Sequence, residues 1–166
     1  MAEVVLIRHG EPTLRGVFLG STDPGLSEAG RSQASTLHLN LDWPVYASPM
    51  RRATETAEAI GLKYEAVNDF REIDYGPWEG LSWAEIEARY PAEAQKKLQD
   101  WLGYSIEEAE AWSTFRSRVS AALAGCARPC IIVAHLAVNS VIRQLLTGEP
   151  ELEFQQGYCE IVKLNS

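Results

Sequence analysis

The chain has 166 residues, of which 46% are hydrophobic, and these values are typical of a single globular domain with a sizeable core. Its formal net charge of −8 argues against a nucleic-acid partner, because such proteins need a basic surface. No apolar stretch reaches the length of a membrane span, and no basic leader with a cleavage site precedes the first apolar run. We therefore expect a cytoplasmic protein without a membrane partner.

The first half of the chain alternates apolar runs with amphipathic stretches. The predicted elements are a strand over 3–8, a helix over 28–39, a strand over 45–47, a helix from 48 to about 60 and a short strand over 64–67. Ser27 is a good N-cap for the first helix, Pro49 is tolerated in the first turn of the second, and Gly61 is expected to end it.

The second half is mainly helical before its last two strands. The predicted elements are a helix ending near 89, helices over about 91–102 and 107–125, a strand over 130–134, a helix over about 135–146 and a strand over 157–164. Ser82 and Glu85 have the spacing of a capping box, which predicts that the first of these helices begins directly after Ser82.

This alternation of strands and helices predicts an α/β fold. We expect one domain over 1–166, built as a three-layer α/β/α sandwich whose central sheet is mostly parallel. The segment over about 75–112 contains Trp78, Trp83 and Trp101 and no strong strand pattern. We interpret it as a small helical cap over the functional site.

Two of the predicted strands stop at a histidine. Arg8 and His9 follow the first strand, and His135 follows the strand over 130–134. The strand over 45–47 leads into a segment that carries Arg51 and Arg52. Because ligands of open α/β sheets bind beyond the carboxyl ends of the strands, these imidazoles and guanidinium groups predict a phosphate site.

The segment Arg8-His9-Gly10-Glu11 resembles the signature of the histidine phosphatase superfamily, the phosphoglycerate-mutase-like enzymes. Four further segments that are similar to family motifs follow in the family's order: 20–34, 48–57, 70–80 and 133–135. The stretch over 75–86 most resembles the small phosphatases of the α-ribazole phosphatase type. The resemblance covers nearly the whole chain.

The resemblance implies a role for each residue of the predicted phosphate site. His9 would be the nucleophile that forms a phosphohistidine, and neighbouring arginines would keep it neutral. Arg8 and Arg52 would clamp the phosphate, and His135 would be a second phosphate donor. Glu72 would be the general acid that protonates the leaving oxygen.

The resemblance also suggests further phosphate- or substrate-binding residues, with two departures from the family pattern. Gly20, Ser21 and Thr22 lie in the loop that follows the signature. Arg15 stands where many members place a phosphate-binding asparagine. Leu136 stands where the family usually has glycine, so its N–H is available to phosphate while its side chain reshapes the pocket.

Other polar and aromatic residues near these motifs have simpler interpretations. We interpret Glu11 and Glu79 as structural carboxylates. Aromatic residues at helical spacing are more often core than binding residues, and this alternative stays open for four side chains: Tyr75, Trp78, Trp83 and Tyr104.

These observations together predict a metal-independent phosphomonoester hydrolase that needs no cofactor. Its partner would be a small phosphorylated metabolite, for which α-ribazole phosphate is one candidate, and a homodimer is left open. The alternatives are a phosphoglycerate-type mutase, a phosphatase acting on phosphohistidine in proteins, and a catalytically weakened phosphate-binding member. The true mutases are longer, so a chain of 166 residues favours a phosphatase.

Overall fold

The computed structural model describes residues 3–165 and, within them, has a five-stranded sheet at its centre. The strands are β1 (Glu3–Arg8), β2 (Val45–Ala47), β3 (Glu65–Ala66), β4 (Cys130–Ala134) and β5 (Ile161–Asn165). They lie in the order β3-β2-β4-β1-β5, and only the β1–β5 pair among them is antiparallel. The prediction of a mostly parallel central sheet is confirmed.

The described residues also form α-helices and short 3₁₀ helices. The α-helices are α1 (Glu28–Ser35), α2 (Arg51–Ile60), α3 (Trp83–Arg89), α4 (Pro91–Gln99), α5 (Trp112–Gly125) and α6 (Leu136–Thr147). The 3₁₀ helices cover Asn68–Phe70, Gly76–Trp78 and Glu151–Glu153. Within residues 3–165, we find no helix that combines the length and the apolar character required to traverse a lipid bilayer.

Helices cover both faces of the sheet because side chains alternate along each strand. Val4 and Leu6 of β1 point to the face where buried residues of α5 and α6 complete the core. Val5 and Ile7 point to the opposite face, where they pack in a second core with residues of β2, β4 and α2. The structure is therefore the predicted three-layer sandwich.

Several helices and strands are shorter than predicted, and the backbone explains two of the differences. α5 begins at Trp112, five residues later than expected, because Glu108 has φ +60°, which no α-helix tolerates. β5 begins at Ile161, because Cys159 has φ +59° and the chain turns there. α2 begins at Arg51, so Pro49 lies before the helix and not in its first turn.

The cap over 75–112 has a small apolar core of its own. Trp78, Ile86, Ala94 and Ile106 are buried there. Phe18, from the loop that follows β1, packs against this core. Its backbone also pairs with the cap, because its N–H donates to the carbonyl of Leu81 and its carbonyl accepts from the N–H of Gly80, both at 2.9 Å. The cap and the loop after β1 therefore form one wall above the carboxyl end of the sheet.

Candidate active site

The carboxyl ends of three neighbouring parallel strands bring the two histidines together. The N–H of His9, directly after β1, donates to the carbonyl of Ala134 in β4 at 2.9 Å. The N–H of Ser48, directly after β2, donates to the carbonyl of Val133 at 3.0 Å. As a result, the ring centroids of His9 and His135 lie 5.2 Å apart.

The His9 ring is held in one tautomer and in its neutral form. Its Nδ1 lies 2.7 Å from the carbonyl oxygen of Gly10. Because a carbonyl can only accept, Nδ1 carries the proton and Nε2 keeps its lone pair. Burial, and then the positive charges of Arg52 and Arg8, lower the pKa of His9 to about 3. The imidazole is therefore uncharged at neutral pH, with its lone pair on Nε2.

Arg8 is held beside His9 by two groups from the segment before β5. Its Nη1 donates to the carbonyl oxygen of Gln156 at 2.7 Å. The centroid of the Tyr158 ring lies 4.4 Å from the guanidinium carbon of Arg8. The ring centroids of Tyr158 and His9 are 5.8 Å apart. The cation–π contact and the hydrogen bond fix the guanidinium next to the His9 ring.

Arg52, in the first turn of α2, is buried and holds the loop after β1. Its Nη1 donates to the carbonyl of Thr22 at 2.9 Å, and its Nη2 donates to the carbonyls of Leu19 and Gly20 at 3.2 and 3.1 Å. Burial lowers the pKa of this guanidinium, and the nearby Glu72 carboxylate opposes that effect. Arg52 thus connects the loop after β1 to the site that contains His9 and Glu72.

Glu72 is a buried carboxyl group in the same site. Burial raises its pKa, against the lowering effect of Arg52 and of two backbone N–H donors. These donors are Ile73, at 3.2 Å from Oε1, and Ala137, in the first turn of α6, at 3.3 Å from Oε2. A raised pKa favours the protonated form, which is the form that a general acid requires.

His135 lies behind His9, completely buried, and does not line the cavity described below. Its Nε2 is 2.8 Å from the Ser48 hydroxyl oxygen, and that oxygen accepts a hydrogen bond from the N–H of Met50 at 3.2 Å. In the tautomer in which the hydroxyl donates to Nε2, the ring proton is on Nδ1, which has no partner among residues 3–165. Burial lowers the pKa of His135 well below its usual value.

Arg8, His9, Arg52 and Glu72 lie together at the floor of a cavity of about 540 Å³. Leu136 and Arg15, which the sequence predicted to bind substrate, also line this cavity. The Arg15 side chain is 66% exposed and forms an ion pair with Glu11 at 3.1 Å. The walls combine aliphatic and aromatic side chains, and five of the aromatic ones come from the loop and the cap region: Phe18, Tyr75, Trp83, Trp101 and Trp112.

Gly20, Ser21 and Thr22, which the sequence predicted to bind phosphate, donate hydrogen bonds within the protein instead. None of the three lines this cavity. Their N–H groups donate to the carboxylate of Glu79 at 3.0, 2.8 and 3.3 Å, and the Thr22 hydroxyl donates to it at 2.7 Å. Glu79 therefore occupies the donors that the sequence assigned to substrate, and its interpretation as a structural carboxylate is confirmed.

Arg118 of α5 is a residue of this site that the sequence did not reveal. It forms a two-pronged ion pair with Glu110 at 2.7 and 2.9 Å. It also donates to the carbonyls of Asp69, Arg71 and Glu72 at 2.8, 2.7 and 3.0 Å. Arg118 thus braces the segment that carries the proposed acid, although it is 46 residues away in the chain.

Gln156 and Tyr158 were also missed, because they belong to no motif. The buried Gln156 side chain donates to the carbonyls of Leu6 and Glu160 at 3.1 and 2.9 Å and accepts from Asn139 at 2.9 Å. It therefore joins β1, α6 and the segment before β5. Nothing in the spacing of these residues signals their contact with Arg8.

Comparison with known protein families supports the fold described above. Residues 4–166 match the model of the histidine phosphatase superfamily, branch 1. The chain belongs to this superfamily. The resemblance that was drawn from the segment around His9 is thereby confirmed.

Two curated relatives have names that include a phosphatase. Human 6-phosphofructo-2-kinase/fructose-2,6-bisphosphatase 4 is 32% identical over 143 residues, which cover 81% of this chain and 30% of that protein. Phosphoserine phosphatase 1 from Hydrogenobacter thermophilus is 30% identical over 132 residues, which cover 72% of this chain and 61% of that protein. The chain thus spans less than two thirds of the length of these relatives.

Solved structures share the fold over nearly the whole chain. The phosphoglycerate mutase from Thermus thermophilus is 30% identical, with a TM-score of 0.83, and the match covers 98% of this chain and 92% of that one. The α-ribazole phosphatase from Shigella flexneri has a TM-score of 0.88, and the match covers 98% of this chain and 90% of that one. At 23% identity, the latter shows likeness of fold alone.

Proposed function

We propose that this protein is a metal-independent phosphomonoesterase that acts on a small phosphorylated metabolite through a phosphohistidine at His9. The observation that supports this most directly is the state of the His9 ring. Its Nδ1–H is held by the Gly10 carbonyl at 2.7 Å, and its pKa is lowered to about 3. The Nε2 lone pair is therefore available at neutral pH, between two guanidinium groups.

In the first step, the His9 Nε2 lone pair attacks phosphorus and the bond from phosphorus to the leaving oxygen breaks. Glu72 donates its proton to that oxygen, so the leaving group departs as an alcohol. Arg8 and Arg52 stabilise the negative charge on the remaining phosphoryl oxygens. Both guanidinium groups line the cavity and are already oriented by backbone carbonyls, which reduces the reorganisation needed during the reaction.

In the second step, water attacks the phosphohistidine. Glu72, now a carboxylate, takes a proton from the water, the bond between Nε2 and phosphorus breaks, and inorganic phosphate leaves. His9 regains its lone pair and Glu72 regains its proton. We further propose that His135 donates from Nδ1 to a phosphoryl oxygen, which agrees with the unpartnered state of that buried atom among residues 3–165.

The second candidate is a phosphoglycerate-type mutase, which the likeness to the Thermus thermophilus structure favours. The two reactions share the first step and differ in what removes the phosphoryl group from His9. Incubation with 3-phosphoglycerate separates them, because a phosphatase releases inorganic phosphate and a mutase forms 2-phosphoglycerate. Isomerisation without phosphate release would overturn the proposed hydrolase.

The nucleophile is tested by rapid quenching with ³²P-labelled phenyl phosphate. The wild-type protein should yield an acid-labile, base-stable phosphoenzyme, and His9→Asn should lose it together with at least about 10³-fold in kcat. His38→Asn is the matched control, because His38 lies outside the cavity and belongs to no motif. Near-native turnover in His9→Asn would overturn the mechanism. Loss of wild-type activity in EDTA, restored by magnesium or zinc, would overturn metal independence.

A further inference from the structure

The cavity changes character between its floor and its mouth. Beyond the charged floor, and apart from two tyrosines, the ionisable side chains that line the cavity are those of Arg15 and Glu151. Each has a partner: Arg15 pairs with Glu11 at 3.1 Å, and Glu151 pairs with Arg116 at 3.4 Å. Within the described residues, a second anionic group on the substrate would therefore meet no unpaired cation at this end of the cavity.

An aromatic cluster forms one wall of this outer part. The ring centroids of Phe18 and Trp83 are 6.3 Å apart, those of Phe18 and Trp101 are 6.4 Å apart, and those of Trp83 and Trp101 are 6.1 Å apart. All three side chains line the cavity and are only partly buried. They offer a continuous apolar surface that an apolar ligand would cover.

Leucines mark the mouth of the cavity. Leu14, Leu98 and Leu152 are the exposed large apolar side chains among residues 3–165, with exposures of 42%, 62% and 60%. Two of them, Leu14 and Leu152, line the cavity. They come from different segments, the loop after β1 and the 3₁₀ helix Glu151–Glu153, so the apolar surface extends to the mouth on both segments.

We infer that the natural substrate has an uncharged, apolar leaving group that extends from the phosphate along the aromatic cluster to Leu14 and Leu152. The substrate class is thus phosphate monoesters of long alkyl or arylalkyl alcohols, and the two leucines are specificity-determining residues. This inference rests on the proposed function, because it takes the phosphate to bind at His9 and the leaving group to extend towards the mouth of the cavity. It predicts that esters with a second anionic group, such as phosphoserine or 3-phosphoglycerate, are poor substrates.

A series of primary alkyl phosphates tests the inference, because ethyl, butyl, hexyl and octyl phosphate have similar leaving groups and differ in apolar length. The value of kcat/KM should rise about threefold for each methylene that the cavity covers, mainly through KM. Octyl phosphate should therefore exceed ethyl phosphate by at least about 100-fold. A flat series, or a preference for 3-phosphoglycerate over octyl phosphate, would overturn the inference.

Variants at the mouth locate the effect. Leu14→Ser and Leu152→Ser should each lower the ratio of kcat/KM for octyl over ethyl phosphate by about fivefold to tenfold, because apolar contact is lost at the distal end only. Leu98→Ser removes an equally exposed leucine outside the cavity and should leave the ratio unchanged. An unchanged ratio in both mouth variants, or an equal loss in Leu98→Ser, would contradict the assignment of these residues.

Binding of phosphonates separates this inference from the proposed function. Octylphosphonate and ethylphosphonate cannot be hydrolysed, and calorimetry measures their Kd whether or not the protein turns over esters. Tighter binding of octylphosphonate by at least about 100-fold, with Leu14→Ser and Leu152→Ser reducing the difference, supports the apolar site even if no ester is hydrolysed. Equal Kd values would overturn the apolar site even if esters are hydrolysed.

Discussion

At the scale of single residues, one physical cause shifts the pKa values of two neighbouring groups in opposite directions. Burial disfavours charge, so it lowers the pKa of His9 and raises the pKa of Glu72. The imidazole is thereby kept neutral, as the proposed nucleophile requires, and the protonated form of the carboxyl group, which the proposed acid requires, is favoured. A pair of groups whose pKa values are shifted in this way has the pattern of an acid and a nucleophile in one site.

Substitution Glu72→Gln should separate substrates by their need for a proton. Hydrolysis of an alkyl phosphate should fall by about 10²–10⁴-fold, because the alkoxide leaves poorly without an acid. Hydrolysis of p-nitrophenyl phosphate should fall much less, since p-nitrophenolate is a stable leaving group. Single-turnover rates of phosphoenzyme formation on the two substrates measure the difference. An equal loss on both would assign Glu72 to binding or structure.

At the scale of elements, two clamps connect distant segments around the site. The Glu79 carboxylate gathers the N–H groups of the loop over 20–22 and also accepts the N–H of Tyr75 at 3.1 Å. Arg118 gathers carbonyls of the segment over 69–72. Gly20 permits the first clamp, because a Cβ there would lie 1.9 Å from the carbonyl oxygen of Ile73.

Substitution Glu79→Ala should destabilise the fold and weaken phosphate binding together. The change leaves several partly buried donors without an acceptor, which should lower the free energy of unfolding by about 1–3 kcal/mol. Because Arg52 binds carbonyls of the same loop, loosening the loop should also raise the Kd of inorganic phosphate.

Urea denaturation and calorimetry with phosphate measure both effects of that change. Glu87→Ala is the matched control, since Glu87 is exposed on the neighbouring helix α3. If Glu79→Ala were as stable as Glu87→Ala and bound phosphate equally well, the carboxylate would not hold the loop in solution.

At the scale of the whole molecule, His9 makes the free energy of unfolding depend on pH, because the folded state disfavours the charged form of its imidazole. The folded protein holds the pKa of His9 at about 3, whereas an unfolded chain returns it to about 6.5. Between these values the unfolded state binds more protons than the folded state. The free energy of unfolding therefore falls as the pH falls below about 6.5.

Comparison of the wild type with His9→Asn isolates this contribution. Between pH 7 and pH 5, the wild type should lose about 1–2 kcal/mol more in free energy of unfolding than His9→Asn does, as measured by urea titration at each pH. Glu72 acts with the opposite sign, because its raised pKa stabilises the folded state at low pH and loses this effect as the pH rises. It is present in both proteins and cancels in the comparison. Parallel curves would show that His9 titrates normally in the folded state.

Short-range patterns in the sequence determined most of the framework. The predicted bounds of β2 and β4 agree with the structure, Gly61 ends α2 with φ +86°, and Ser82 and Glu85 form the predicted capping box. These signals act within a few residues, so the sequence alone carries them. The pairing of strand ends also predicted that His9 and His135 would lie together, because neighbouring parallel strands end at the same edge.

Only the tertiary structure decided what surrounds those residues. The N–H donors of the loop over 20–22 bind the carboxylate of Glu79, which is 57 to 59 residues away in the chain. Tyr158 and Gln156 reach Arg8 from the far end of the chain, and Leu152 and Leu14 line one cavity. Such contacts depend on how whole layers pack, and no local periodicity or capping preference encodes them. The residues that meet at the charged floor were therefore predictable from the sequence, whereas the apolar outer part of the cavity is defined only by the fold.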